Sequence, residues 1–269
     1  MNRTIASLAV VAAVSLVPEA ASAAPPWVDR TITLPRLVFA GNVGLGFGVA
    51  HTPPRDFFGP GLNLEGAIGV TDRIELGLRT GIRLTDDARA TGADAYGRTF
   101  FHETYGTNAD SVANPEFHIR WAAYSGNVVE VGLDGRAYLP IENGSRFGLM
   151  FGVPLAFHVG NSVRIDTGAY VPVVFYNHNF AALDVPGYFW FQISDRLWLG
   201  PLTALRFINP GGPGNVPGSH TDLLLGFGLG YQVANAIDLK TWILFPAINQ
   251  DSGARNFGFG VGLEFRIGD

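Results

Sequence analysis

Three glycine runs, built on Gly44, Gly46 and Gly48, on Gly226, Gly228 and Gly230, and on Gly258, Gly260 and Gly262, have the spacing of phosphate-cradling loops. A phosphate loop must open a helix, whose first N–H groups hold the anion. Here the glycines alternate with Leu, Phe and Val and no helical pattern follows, so they read as one face of strands with room beside the backbone. Of the six histidines, His51, His102, His178 and His220 fall in or beside loops that also carry Asp86, Asp87, Asp94, Glu103 and Asp110. None has the close spacing of a local metal motif, so these loops read as solvated and no metal or other cofactor is expected. His118 and His158 sit at period-two positions with other polar residues and read as hydrogen-bonded wall residues. Serine–histidine catalysis requires nucleophile and base within hydrogen-bond reach, and no strand offers the pair at matching height. No catalytic residue is therefore assigned, and a hydrolase site built from loops is the least favoured reading.

The remaining chemistry lies in ionised residues that alternate with apolar ones. They are Glu75, Arg79, Arg83, Arg120, Glu130, Asp134, Arg136, Arg164, Asp166, Asp238, Lys240, Glu264 and Arg266. Their signs nearly balance, which favours cross-strand ion pairs over a one-sign selectivity filter. Many lie within a few residues of short turns, so a polar constriction near those turns is expected.

The elements that position them follow from the same alternation. From Leu37 onward apolar residues recur every second position, broken by two kinds of connection that take turns. The short ones centre on Asp72, Gly126, Asn161, Asp195 and Asn235, residues that tight turns favour. The longer ones lie near 51 to 60, 85 to 114, 140 to 146, 177 to 184, 209 to 221 and 248 to 256. Five turns and six loops imply about twelve antiparallel strands. Text around the turns nearly repeats, at 70 to 76, 193 to 199 and 233 to 239, and the repeating unit is a hairpin. Ile74, Leu76, Leu78, Thr80 and Ile82 occupy one face of a strand and Glu75, Arg79 and Arg83 the other. Strands throughout keep ionised residues off the apolar face, where one at a bilayer midplane would cost about 2–4 kcal/mol. That face also carries aromatics in two belts. Trp121, Phe157, Phe191, Tyr231 and Phe265 lie before the short turns or the chain end, and Phe47, Phe117, Phe147, Phe175, Phe207, Phe245 and Phe257 lie by the long loops. Phe147 and Phe157 would stand about 25 Å apart on a tilted strand, the height of an apolar membrane band.

Composition agrees. Thirty-five glycines, twenty phenylalanines and 15% charged residues depart from the soluble norm of about 25% charged. There is no cysteine, and a net charge of −5 without a basic stripe excludes nucleic-acid partners. Residues 1–24 read as a cleaved secretory signal, with Arg3, an apolar core from Ile5 to Val17 and the small residues Ala21, Ser22 and Ala23. Residues 25–36 form an N-terminal periplasmic or plug segment, and 37–269 the barrel. The fold class is thus all-β, a transmembrane antiparallel up-and-down barrel.

With these features the chain resembles the bacterial outer-membrane β-barrel proteins, small channels and transporters among them. The last strand, from Asn256 to Ile267, is similar to their terminal assembly signal, which maps onto Gly262, Phe265 and Ile267. The resemblance implies secretion to the periplasm, integral residence in the outer membrane of a Gram-negative envelope, and contact with outer-membrane lipid and the barrel assembly machinery. A barrel of about twelve strands lies between a filled and a water-filled interior, so a channel or transporter for passive passage of a small solute through a narrow, ion-paired lumen is the favoured reading and no enzyme is expected. The alternative is a closed barrel with a structural or surface-interaction role through its loops. The lipid-facing serine–histidine–amide triad of outer-membrane phospholipases has no counterpart here. Residues 85–114, with Tyr96, Phe100, Phe101 and Tyr105, and residues 25–36 are the two segments expected to regulate the lumen.

Overall fold

The computed structural model describes residues 24–52, 55–83, 115–141, 147–175, 180–209, 220–250 and 255–268. Residues 1–23 of the expected signal segment and the loop containing Tyr96, Phe100, Phe101 and Tyr105 lie outside them. The described residues form twelve strands. They are β1 (Phe39–Thr52), β2 (Arg55–Thr71), β3 (Ile74–Arg83), β4 (Glu116–Ser125), β5 (Val129–Tyr138) and β6 (Gly148–Val159), then β7 (Val163–Val174), β8 (Phe180–Ser194), β9 (Leu197–Asn209), β10 (His220–Ala234), β11 (Ile237–Phe245) and β12 (Phe257–Ile267). Each pairs antiparallel with its neighbours in sequence, and β1 pairs with β12 to close the barrel. Closure leaves no free sheet edge, the condition for crossing lipid with strands.

Alternation sets two faces. On β4 and β12 buried and exposed residues alternate along most of the strand. Phe117, Ile119 and Trp121 point out, while His118 and Arg120 are buried inside. At the closing seam Gly44 faces Gly262, Gly46 faces Gly260 and Gly48 faces Gly258, so two glycine runs are neighbours, as their pattern suggests.

Two of the expected loops are largely strand. β1 continues to Thr52 and β2 starts at Arg55, and β8 starts at Phe180. Ladder hydrogen bonds do not require apolar side chains, so the hairpins continue where the period-two signal has faded.

The sequence repeat near the short turns is a bulge. Register shifts fall between Gly69 and Thr71, Gln192 and Ser194, and Gln232 and Ala234, so Val70, Ile193 and Val233 are the extra residues. A fourth shift falls between Ala122 and Tyr124. Bulges at a barrel rim increase local twist and end the pairing.

Away from the bulges, every interruption of the described ladders contains a proline. Pairing skips Pro154 between β5 and β6, Pro172 and Pro186 between β7 and β8, and Pro201 between β8 and β9. Proline has no N–H to give.

Candidate functional site

The inner wall has two halves. On β3, β4 and β5 the charged residues form one connected network. Arg120 binds Asp134 Oδ2 through Nη2 at 2.6 Å and Nε at 3.0 Å. Arg136 donates from Nε to Asp134 Oδ1 at 2.9 Å and from Nη1 to Glu116 Oε1 at 2.9 Å. Glu75 Oε1 meets His118 Nε2 at 3.1 Å and Arg120 Nη1 at 3.7 Å. Period-two alternation on adjacent antiparallel strands brings these residues to facing positions: Glu75 opposes Arg120, and Arg120 opposes Asp134.

The opposite half, on β8 to β11, carries a large apolar patch beside the Arg206–Asp184 ion pair and the charged Asp238 and Lys240. Tyr188, Trp190, Trp198, Leu202, Leu224, Trp242 and Leu244 pack as one buried cluster. The tryptophans lie on glycines. A Cβ at Gly230 would enter the Trp198 ring, one at Gly260 the Trp242 ring, and one at Gly228 would come within 2.8 Å of Trp190. On β10 and β12 the room beside these glycines holds tryptophans of the wall itself.

Residues 24–37 run across this interior and join its halves. Ala24 N donates to Asn235 O at 2.8 Å in the β10–β11 turn. A single 3-10 turn, Trp27–Asp29, follows. Trp27 stacks on Trp198 with centroids 5.4 Å apart and planes at 5°, and meets Trp190 edge-on at 5.8 Å. Lys240 Nζ lies 4.2 Å from the Trp27 ring centre, with Arg30 and Arg164 at 5.3 and 5.8 Å. Arg30 Nη1 donates to Asp238 Oδ2 at 2.5 Å on β11 and lies 3.7 Å from Glu264 on β12.

Apart from the Trp27 and Arg30 side chains, the wall mainly binds the segment's backbone. Cationic groups and a histidine take its carbonyls: Arg164 Nη1 donates to Arg30 O, Arg120 Nη1 to Ile32 O at 3.1 Å, and His158 Nδ1 to Val28 O at 2.7 Å. Carboxylates take its N–H groups: Ile32 N donates to Glu130 at 3.3 Å, Leu34 N to Glu75 at 2.9 Å and Arg36 N to Asp72 at 3.0 Å. His158 Nε2 also meets Glu130 Oε1 at 2.8 Å. The segment ends in a tight turn in which Val38 N donates to Pro35 O at 3.1 Å and Leu37 adopts φ 65°, a left-handed conformation unfavourable for leucine. Its contacts thus reach inner residues of β3 through β12. Beside it, among the described residues, lies a cavity of about 90 Å³ bordered by Arg30, Ile32, Asn42, Glu65, Tyr170 and Tyr188. That holds a few waters and is far below the ~300–1,000 Å³ of an ordinary ligand pocket.

The structure places the residues singled out from sequence as follows. Glu75, Arg79, Arg120, Glu130, Asp134, Arg136, Arg164, Asp238, Lys240, Glu264 and Arg266 are buried on the inner face, and Asp166 is half-buried there. Lys240 pairs with Glu264, and Arg164 with Asp166 at 2.7 Å. Arg83 faces Gly61 in the ladder, and its side chain lies outside the described residues. Gly262 faces Gly44 at the seam, and Phe265 lies on the outer face 5.9 Å from Phe39, its ring filling the space above Gly41. Ile267 ends β12 opposite Phe39. Sequence reasoning missed Trp27, Trp190, Trp198 and Trp242 as interior residues, and Arg30 as their ion-pairing companion. The β10–β11 hairpin carried a usable signal, because counting outward from the turn at Asn235 sets Trp242 opposite Gly228.

No family model matches the chain, and no curated protein matches it by sequence. Solved structures do resemble it in fold. The NanC porin aligns over 84% of this chain and 100% of its own, with TM-score 0.60 and 8% identity. The KdgM porin aligns over 84% and 98%, with TM-score 0.55 and 8% identity. The COG4313 outer membrane channel from Pseudomonas putida F1 aligns over 87% and 97%, with TM-score 0.56 and 11% identity. The fold shared with these structures is a closed antiparallel β-barrel.

Proposed function

We propose that the protein is an outer-membrane channel for passive passage of a small solute through a narrow, ion-paired lumen, with residues 25–36 as its periplasmic gate. The observation that carries this reading is the placement of the segment. Its backbone is held by inward carboxylates and cations of β3 to β5, its Trp27 and Arg30 side chains by β9 and β11 across the lumen, and a cavity beside it measures about 90 Å³. Fold likeness to channels adds support. Two side chains do most of the anchoring: Trp27 by stacking and Arg30 by its ion pair with Asp238. Removing one partner of a buried ion pair costs about 3–5 kcal/mol, enough to shift a docked segment toward release.

In this reading no side chain acts catalytically and no cofactor is required. Gly262, Phe265 and Ile267 serve recognition by the assembly machinery. Single-channel recordings in planar bilayers test the gate. Wild-type protein is expected to pass small, infrequent currents, and the double variant Trp27→Ala/Arg30→Ala larger and more persistent ones, by several-fold. If neither protein conducts, the barrel is closed, and the structural or surface-interaction role replaces the channel.

A further inference from the structure

We infer that the slot filled by Trp27 and Arg30 is also a solute subsite, selective for small molecules that carry an electron-rich aromatic ring and a cation close to it. The inference rests on the gate reading and names the solute class of the same lumen. Withdrawing the segment takes away one indole and one guanidinium together, so what remains is shaped to that pair.

Trp198 is left with an indole face that had a parallel ring stacked on it, with Trp190 set edge-on beside it. Gly230 keeps this face in place, since no side chain there props Trp198 off the wall. Asp238 loses a 2.5 Å ion pair and Glu264 a cation at 3.7 Å. The vacated ring position keeps the Lys240 ammonium 4.2 Å from its centre, which favours an electron-rich ring over an electron-poor one. Ring and cation in the native occupant are 5.3 Å apart, which sets the scale of the matching solute. An aromatic anion would place its charge against Asp238 and Glu264, and a neutral aromatic would give Asp238 nothing in place of the Arg30 guanidinium, while Glu264 keeps Lys240. The gate thus imitates what it excludes, and solute binding and segment docking compete for one slot.

Tryptamine, indole and indole-3-acetate separate ring from charge. Equilibrium dialysis against the detergent-solubilised double variant Trp27→Ala/Arg30→Ala, with its β-structure verified by circular dichroism, is expected to show tryptamine bound at least about tenfold more tightly than either. Adding Asp238→Asn is expected to remove the preference for tryptamine over indole. In wild-type protein, tryptamine but not indole-3-acetate is expected to accelerate tryptic cleavage after the buried Arg30, which gives a second reading should the triple variant fail to fold. Equal binding of the three compounds, or no binding, overturns the subsite. A double variant that conducts without preferring tryptamine leaves the channel and removes the subsite. One that binds tryptamine yet carries no current does the reverse.

Discussion

Gly230 decides how Trp198 lies, and through Trp198 how the gate docks. A methyl group there would enter the indole ring, so Gly230→Ala must tilt Trp198 away from the wall and spoil its parallel contact with Trp27. Overpacking of this kind costs about 1–3 kcal/mol. Gly44→Ala is the matched control, because a Cβ at Gly44 meets its nearest atom at 3.6 Å, an ordinary contact. Urea unfolding in lipid vesicles should show a clear loss for Gly230→Ala and about 0.5 kcal/mol or less for Gly44→Ala. Equal losses would show that the space beside Gly230 does not matter. At this scale the charged residues were legible and the tryptophans were not. An ionised residue at a period-two position announces its face, since lipid rejects charge. Tryptophan suits either face and announces nothing, until a hairpin register sets it against a glycine.

Prolines inside a closed barrel create backbone carbonyls without ladder partners, and on the lipid side no water can replace them. Two threonines fill part of this need. Thr167 Oγ1 donates to Pro186 O at 2.6 Å, and Thr203 Oγ1 to Gly187 O at 2.8 Å. Thr167 borders the stretch at Pro186 that the β7–β8 ladder skips, and Thr203 lies one pair away from the stretch at Pro201 that the β8–β9 ladder skips. Thr167→Val keeps the shape and removes the donor, so it should cost about 1–2 kcal/mol in the same unfolding assay. A valine variant as stable as wild type would show that the carbonyl is satisfied in another way. The strands themselves were legible despite these prolines because face alternation and turn chemistry outvoted them. Strand ends were not, since above the membrane band the hairpins of β1 with β2 and β8 with β9 continue on backbone pairing alone. The bulges at Val70, Ile193 and Val233 were visible as a repeat, but their meaning needed the register.

For the whole molecule, the barrel and the candidacy of residues 25–36 as a plug follow from sequence, and the contacts that hold the plug do not. Residues 25–36 have no periodicity to read, and their position is set by partners drawn from ten strands. The arrangement predicts protection. Arg30 is only 5% exposed, so trypsin should cleave after it slowly in the folded protein. In Asp238→Asn, cleavage should accelerate at least about tenfold, the opening population rising with the lost ion pair. An unchanged rate would show that Asp238 does not hold the segment. The same dependence on many strands has a consequence for biogenesis. A barrel still missing its β1–β12 seam presents incomplete docking chemistry, for Asp238 and Glu264 lie on the last two strands and Glu75 on the third. Docking of the segment would therefore report closure of the barrel. During refolding into vesicles, protection of Arg30 should arrive with the final kinetic phase, so that a protease sees the difference between a finished barrel and one still open at its seam.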